Sequence, residues 1–288
     1  MSGNEINVLT SNSADILADF SMELSIKTTG IYTESWQQKE ASIIYSRILL
    51  TYISILRYTP QSKYFTKIIG YKIYDISTQA ILTRSLLESY LTLFYLSIEN
   101  VPEDEKAFRK ALWEYHDSAE RVRILSLINP VSEKLTLLEK EKEERKKAVK
   151  NCSIYKGFEL NRQKNLITKD RSKYLDNTEI SKRAGISAEY YKSIFKYLSN
   201  FTHCSPMGIA QFDATIKKGG SVDYQLFFYI RNIASGIAAR SISDYQSLFE
   251  DTTVQIPDHI GRIITIWKGI HTWNRSLLDQ NELKGSKL

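Results

Sequence analysis

The stretch ILTRSLLESYLTLFYLSI at residues 81–98 decides the fold, because it is apolar almost all round and yet contains two charges. A helix of that composition is normally buried in a core. A core tolerates Arg84 and Glu88 only if they are paired and hydrogen-bonded. The stretch therefore predicts a buried central helix whose charged side chains form either a functional site or an internal ion pair that fixes the position of the helix.

The composition of the 288-residue chain is that of an ordinary globular protein, with 42% hydrophobic and 25% charged residues. Only 12 glycines and 5 prolines interrupt it, which favours helices. The formal net charge of +6 allows a polyanionic partner, although we interpret the basic residues as interleaved with acidic ones and not as a single block. The two cysteines lack zinc-type spacing, which predicts reduced thiols and no metal or cofactor.

The sequence argues against export and against a membrane span. The first twenty residues lack the basic and apolar regions of a signal peptide. Each of the two most apolar stretches, residues 42–58 and 80–98, carries two charged side chains. A charge at the centre of a bilayer costs about 2.5–3.5 kcal/mol. We therefore expect a cytoplasmic protein that does not enter a membrane.

Helix start and stop signals follow one another along the chain. They predict helices at about residues 11–28, 33–58, 62–98 (with a break near Gly70), 103–128, 179–203, 222–249 and 257–280. Mixed charges in EKLTLLEKEKEERKKAVK predict a solvated helical arm at about 132–150, followed by a surface loop at about 151–175. The stretch FDATIKKGGSVDYQLFF (residues 212–228) is interpreted as a loop or a short hairpin.

These signals predict an all-α fold. We expect one helical domain over residues 1–288, built as a predominantly antiparallel bundle of about seven to nine helices.

Polar residues form a stripe on the central helix. At about 100° per residue, Ser77, Arg84, Glu88 and Tyr95 fall on nearly the same face. Arg84 and Glu88 can pair with each other, but this pair alone does not explain two charges in a core. We expect a third partner from another helix, and a closed, fully satisfied cluster would indicate a structural ion pair.

His203, within FKYLSNFTHCSP, is the candidate for that partner. Pro206 places it in the last turn of a helix, with Ser199 one turn earlier on the same face. A histidine can act as general acid or base near neutral pH, and an arginine beside it can hold an oxyanion or phosphate. Alternatively, His203 is a hydrogen-bonded residue at a helix end with no chemical role.

Three segments resemble a family of bacterial all-helical proteins of unknown function. They are DISTQAILTRSLLESYL (Asp75–Leu91), WEYH (Trp113–His116) and KYLSNFTH (Lys196–His203), which contain an R-S-L-L-E and a later L-S-x-x-x-H motif. The resemblance covers roughly residues 40–210. It implies a helical bundle and a bacterial cytosolic protein, and it implies no activity.

The chain is also loosely similar to the helical HEPN ribonucleases, whose site is an arginine followed, after four to six residues, by a histidine at a helix end. His203 departs from that pattern because only Lys196 lies at the permitted spacing. Arg84 would have to replace the motif arginine from another helix. Arg109 and His116 do satisfy the spacing, but such a match arises easily by chance.

A third pattern, in residues 178–198, resembles a DNA-binding helix-turn-helix with Gly185 at the turn. The second helix offers tyrosines and lysines on its outer face, namely Tyr190, Tyr191, Lys192 and Lys196. It then continues into an apolar stretch, so a plain helix-turn-helix corner is the competing interpretation.

The hypothesis we favour is a metal-independent endoribonuclease of a bacterial toxin or antiviral defence system. His203 would take the proton from a ribose 2′-hydroxyl, Arg84 would hold the scissile phosphate, and Glu88 would orient Arg84. Tyr197 or Ser199 would assist. The expected partners are RNA, a protein encoded in the same operon and a second copy of the chain.

Two alternatives remain. One is a non-catalytic interaction or adaptor protein with a structural Arg-Glu-His cluster, and the other is a helix-turn-helix DNA binder.

Overall fold

The computed structural model describes residues 11–31, 35–57, 75–169, 171–203, 205–217, 221–249 and 255–269. These residues form twelve α-helices and one π-helical turn, and they contain no strand. The helices are α1 (Ser11–Thr28), α2 (Trp36–Arg57), α3 (Ile76–Leu93), α4 (Glu103–Ile128), α5 (Glu133–Asn151), α6 (Ser153–Lys156), α7 (Leu160–Thr168), α8 (Asn177–Arg183), α9 (Ala188–Thr202), α10 (Pro206–Lys217), α11 (Ser221–Ser247) and α12 (Asp258–Lys268). The π-helical turn, Phe94–Ile98, continues α3. The prediction of an all-α helical bundle is confirmed, with more helices than expected.

The chain divides into two compact units where the sequence predicted one domain. The first comprises Met1–Ile98 and Ile180–Leu288, and the second comprises Glu99–Glu179. In the first unit α3 is the central helix, because α2, α9 and α11 all pack against it. This explains why α3 is apolar over most of its circumference: leucines and tyrosines spaced three or four apart, such as Leu86, Leu87 and Tyr90, are buried.

Local sequence signals define the helices that carry polar residues. Asp75 caps the start of α3, since its Oδ1 accepts a hydrogen bond from the backbone N–H of Thr78 at 2.9 Å. Ser187 caps α9 in the same way through the N–H of Tyr190, at 3.2 Å. Gly185 lies in the preceding turn with φ of 72°, a left-handed conformation that favours glycine. The two caps define the starts of the helices that meet at the candidate site.

In the second unit, α4 packs against α5 and α6. Helix α5 is the charged arm expected from the sequence, and only Leu135 and Val149 of its nineteen residues are buried. The expectation of an exposed helix therefore agrees with the structure, although Val149 anchors its end in a core that includes Phe108 and Leu112.

Two expectations about irregular segments are wrong. Helices α6 and α7 lie where a loop was expected at about 151–175, because Tyr155 and Leu166 are buried against α4 and α5 and stabilise short helices whose own periodicity is too brief to detect. Helices α10 and α11 flank the glycine pair where a hairpin or loop was considered; residues 218–220 between them lie outside the described part. The expected helix ends near residues 62 and 280, and the break at Gly70, also lie outside it.

Within the described ranges, every helix is too short or too polar to cross a bilayer.

Candidate functional site

The candidate site lies where α9 packs against α3 in the first unit. The apolar side chains of α9 that are buried in this unit recur at helical spacing and are Tyr191, Ile194, Leu198 and Phe201. The spacing places the side chains at positions 195 and 199 at the edge of this buried face. The polar side of α3 meets α9 along that edge.

Arg84, Glu88 and His203 come together there, and we call these three residues the Arg84 cluster. The Nε of Arg84 donates to Oε1 of Glu88 at 3.3 Å, one helical turn away. The Nη1 of Arg84 lies 3.4 Å from Nε2 of His203, across 119 positions of sequence. The prediction that these three residues are neighbours is therefore confirmed by the geometry.

The ring of Phe195 packs against the guanidinium of Arg84. The guanidinium carbon of Arg84 lies 4.6 Å from the centroid of the Phe195 ring, a cation–π arrangement. Sequence reasoning missed this residue, although its position eight residues before His203 was a usable signal because that spacing places both near one side of α9.

The expectation that these charges are buried is wrong. The side chain of Arg84 is 21% exposed and that of Glu88 is 42% exposed, and His203 is exposed. Helices α2, α9 and α11 pack against α3, and Arg84 and Glu88 lie outside the surface of α3 that these helices bury. Tyr95, at the end of the predicted stripe, is buried. The cluster is thus open to solvent and is not sealed by packing.

The contact between Arg84 and His203 indicates which ring nitrogen of His203 carries the proton. A guanidinium has only donors, so Nε2 of His203 accepts in this contact and the ring proton belongs on Nδ1. A distance of 3.4 Å makes this a weak hydrogen bond that an incoming ligand can replace. The arrangement offers an acceptor nitrogen beside a partly exposed cation.

The turn after α9 holds His203 in place. The backbone carbonyl of Asn200 accepts hydrogen bonds from the N–H and the hydroxyl of Ser205, at 3.2 and 2.9 Å. The same carbonyl lies against Gly208, where a Cβ atom would approach it to 2.7 Å. The junction between α9 and α10 therefore requires a glycine, and it determines where α9 ends and where His203 lies.

The two assisting candidates occupy different positions. Ser199 lies one turn before His203, and its hydroxyl donates to the carbonyl of Phe195 at 2.5 Å. Tyr197 makes no contact with the Arg84 cluster among the described residues, and its ring packs edge-on against Phe201 and Tyr229.

The Tyr197 hydroxyl is also buried, without a hydrogen-bond partner in the part of the chain that the structure describes. Burial, and to a smaller extent the neighbouring Tyr229, raises the pKa of Tyr197 to about 12. Tyr197 is therefore not a base at neutral pH, and the structure separates it from the candidate site.

The second arginine–histidine pair, in α4, behaves differently. Arg109 is 2% exposed and its Nη2 lies 2.6 Å from Glu99 and 2.5 Å from Glu105. Tyr174 donates to the same oxygen of Glu105 at 2.5 Å. His116 hydrogen-bonds through Nε2 to the carbonyl of Leu166 at 3.1 Å. This is a closed ion-pair network, and its arginine cannot reach a ligand.

Helix α9 also presents two lysines to solvent, Lys192 and Lys196. With His203 they lie at intervals of four and seven residues, which places all three within one narrow stripe of the helix. The apolar residues of α9 are buried in the bundle, so the helix-turn-helix here is a packed corner whose outer stripe is basic.

Among the described residues, no group of histidine, cysteine and acidic side chains is placed to bind a metal ion. The cavity behind α9, of about 30 Å³, is lined mainly by apolar side chains such as Leu87, Ile194 and Trp267. The residues that line this cavity do not include the Arg84 cluster.

No curated protein and no solved structure shows significant similarity to the chain. One family model does match, that of the family of unknown function DUF5677, over residues 66–218. The match covers more than half of the sequence and includes α3 and α9 with all three residues of the Arg84 cluster. The chain therefore belongs to the DUF5677 family.

Proposed function

We propose that the Arg84 cluster binds a phosphodiester of RNA and cleaves it without a metal ion. His203 takes the proton of a ribose 2′-hydroxyl through Nε2, and the 2′-oxygen attacks the adjacent phosphorus. The bond to the 5′-oxygen breaks, and the imidazolium returns a proton to that leaving oxygen. The products are a 2′,3′-cyclic phosphate and a 5′-hydroxyl end. General acid–base catalysis of this kind contributes about 10²- to 10⁴-fold.

Arg84 has the properties of a phosphate ligand. Its fork of donors suits two phosphate oxygens, and its charge offsets the negative charge that develops in the transition state. Glu88 and the ring of Phe195 hold the guanidinium from two sides. The guanidinium is thereby positioned before the substrate arrives, which lowers the entropic cost of reaching the reactive geometry.

The observation that carries the proposal is the contrast between the two arginine clusters. Arg109 is enclosed between two carboxylates, whereas Arg84 pairs with one carboxylate among the described residues, is 21% exposed and lies against an exposed histidine. A structural ion pair is expected to be closed. The lysine stripe on α9 supports the same conclusion, because Lys192 and Lys196 place further positive charge beside His203 for neighbouring phosphates.

The experiment compares two histidine variants in an RNA cleavage assay with a metal chelator. His203→Ala should lower the cleavage rate by roughly 10² to 10⁴ while the melting temperature changes little, since the side chain is exposed. His259→Ala is the matched control, because His259 is also exposed and lies in the first turn of α12, outside the Arg84 cluster. The cleaved fragments should end in a cyclic phosphate. Undiminished cleavage by folded His203→Ala would remove the proposal.

A second candidate function is a non-catalytic interaction protein. It is favoured by an apolar patch at the end of α4 in the second unit, where Leu127, Ile128 and Val131 are 82%, 75% and 91% exposed. Exposed apolar patches of this kind mark protein-binding surfaces. In that case His203→Ala is silent in every activity assay, and Leu127→Ser abolishes capture of the partner without changing the fold.

A further inference from the structure

The second unit carries a concentration of positive charge that the overall charge of the chain conceals. Residues 145–175 contain ten lysines and arginines but only two acidic residues, whereas the whole chain has 39 basic and 33 acidic residues. The interpretation that the basic residues are interleaved with acidic ones therefore does not hold for this segment. It covers the end of α5, all of α6 and α7, and the segment that follows.

Five lysines in this segment are exposed, and four of them, Lys147, Lys150, Lys156 and Lys164, lie within two residues of a buried core side chain. Within the described residues none of the four forms an ion pair with a carboxylate, in contrast to Lys146, which pairs with Glu143 at 3.3 Å. Unpaired surface charges that lie close together repel one another and favour a polyanionic ligand.

The four lysines are gathered around one core. Val149, Tyr155 and Leu166 belong to a single buried cluster of the second unit. Each of the four lysines lies within two residues of one of these three side chains. Their backbone positions therefore lie around this one buried cluster, and we call Lys147, Lys150, Lys156 and Lys164 the basic surface.

An arginine beside the basic surface is placed for stacking. The guanidinium carbon of Arg162 lies 4.1 Å from the centroid of the Phe158 ring, and its Nη2 donates to the carbonyl of Tyr174 at 3.2 Å. Arg162 is exposed, so the guanidinium plane is fixed on one side by the phenyl ring. Unpaired bases stack on such guanidinium planes in single-stranded nucleic-acid complexes.

We propose that the basic surface binds the sugar-phosphate backbone of a single-stranded nucleic acid, with Arg162 stacking on a base. This surface goes beyond the proposed function, because it lies in the other unit and requires no cleavage. The combination of unpaired lysines with a stacked guanidinium distinguishes it from a membrane-binding surface. A membrane-binding helix would present a broad apolar face, whereas among the described residues of this segment Leu160, at 81% exposure, is the one large aliphatic side chain that is exposed.

The test measures binding of the full chain by fluorescence anisotropy. The probe is an RNA of about 20 nucleotides with methylated 2′-hydroxyls, which cannot be cleaved by the proposed mechanism. The test variant replaces Lys150, Lys156 and Lys164 by glutamine. The control variant replaces three exposed lysines outside this segment, namely Lys39, Lys134 and Lys140, which likewise form no ion pair with another described residue.

The expected result follows from counterion release. Each phosphate contact adds about 0.7 to the slope of log K against log salt for a single strand, so loss of three contacts should lower the slope by about 2 and the affinity near 0.1 M salt by about a hundredfold. The control variant should bind nearly as the parent protein does. Arg162→Lys keeps the charge but removes the planar stack, and it should weaken binding without changing the slope.

Equal loss of affinity in the test and control variants would overturn the proposal, because it would mean that only net charge matters. Binding to anionic phosphatidylserine vesicles with no binding to either nucleic acid would also overturn it. A DNA strand of the same sequence serves as a second probe. Equal affinity for DNA and RNA would mean that the protein contacts only the phosphates and bases, and a higher affinity for RNA would mean that it also contacts the ribose. The proposed function fails separately, through unchanged cleavage by His203→Ala.

Discussion

Replacing each of the two arginines by alanine separates a structural cluster from a functional one. Arg84→Ala removes an ion pair to a 42% exposed glutamate and a cation–π contact at 4.6 Å. An exposed pair one turn apart contributes about 0.3–0.5 kcal/mol, and an exposed cation–π contact about 0.5–1 kcal/mol. The free energy of unfolding should therefore fall by only about 1 kcal/mol, because water solvates the Glu88 carboxylate that remains.

Arg109→Ala has the opposite profile. Arg109 is 2% exposed, and its removal leaves Glu99 and Glu105, which are 14% and 16% exposed, side by side without their cation. Removing one partner of a buried ion pair costs about 3–5 kcal/mol. The second unit should consequently be strongly destabilised, whereas the first unit keeps its fold.

Thermal melts and cleavage assays of both variants check this prediction. About 1 kcal/mol corresponds to a few degrees of melting temperature for a chain of this size, and 3–5 kcal/mol to roughly 10 °C or more. Arg84→Ala should lose cleavage by at least as much as His203→Ala, because phosphate binding and charge stabilisation both fail. If Arg84→Ala melted as early as Arg109→Ala, the Arg84 cluster would be a structural ion pair and the reasoning would be refuted.

Three further predictions concern positions around the site and the core. Gly208→Ala should reduce cleavage severalfold or more, because the added Cβ would lie 2.7 Å from the carbonyl of Asn200 and displace the end of α9; kinetics beside a thermal melt measure this effect. Burial raises the pKa of Asp244, even though the hydroxyl of Tyr90 donates a hydrogen bond to its carboxylate at 2.8 Å. The folded protein therefore keeps this proton to higher pH than the unfolded chain, and the stability that Asp244 contributes falls as the pH rises from about 4. Asp244→Asn should accordingly be at least as stable as the parent at neutral pH, and this advantage should disappear near pH 3 in melts across the pH range. Thr83→Val should raise stability by about 1 kcal/mol, since the buried hydroxyl has no partner among the described residues, and chemical denaturation would show a lower midpoint if that reasoning were wrong.

Local sequence signals predicted most helix boundaries closely. Helix α4 begins at Glu103 after Pro102 and ends at Ile128, as expected, and α1 and α2 end within a residue of the expected positions. Such signals succeed because capping, proline geometry and helical periodicity act over a few residues. They failed at α6 and α7, whose short helices depend on packing of Tyr155 and Leu166 in the second unit.

The candidate site could be predicted in part. Two charges in an apolar helix identified Arg84 and Glu88, and a histidine before a proline identified His203. Their exposure could not be predicted, since it depends on which sides of α3 its neighbours cover. Tyr197 was placed wrongly for a related reason: it lies on a side of α9 that faces Tyr229 of α11.

The amino-acid sequence by itself determined that this protein is helical, where most of its helices begin and end, and which charged residues needed a partner. Only the tertiary structure decided that Arg84 meets His203 across 119 positions, whereas Arg109 is closed off by Glu99 and Glu105. The physical reason is that helix formation depends on neighbours in sequence. The solvation and pairing of a charge depend instead on the elements that pack around it.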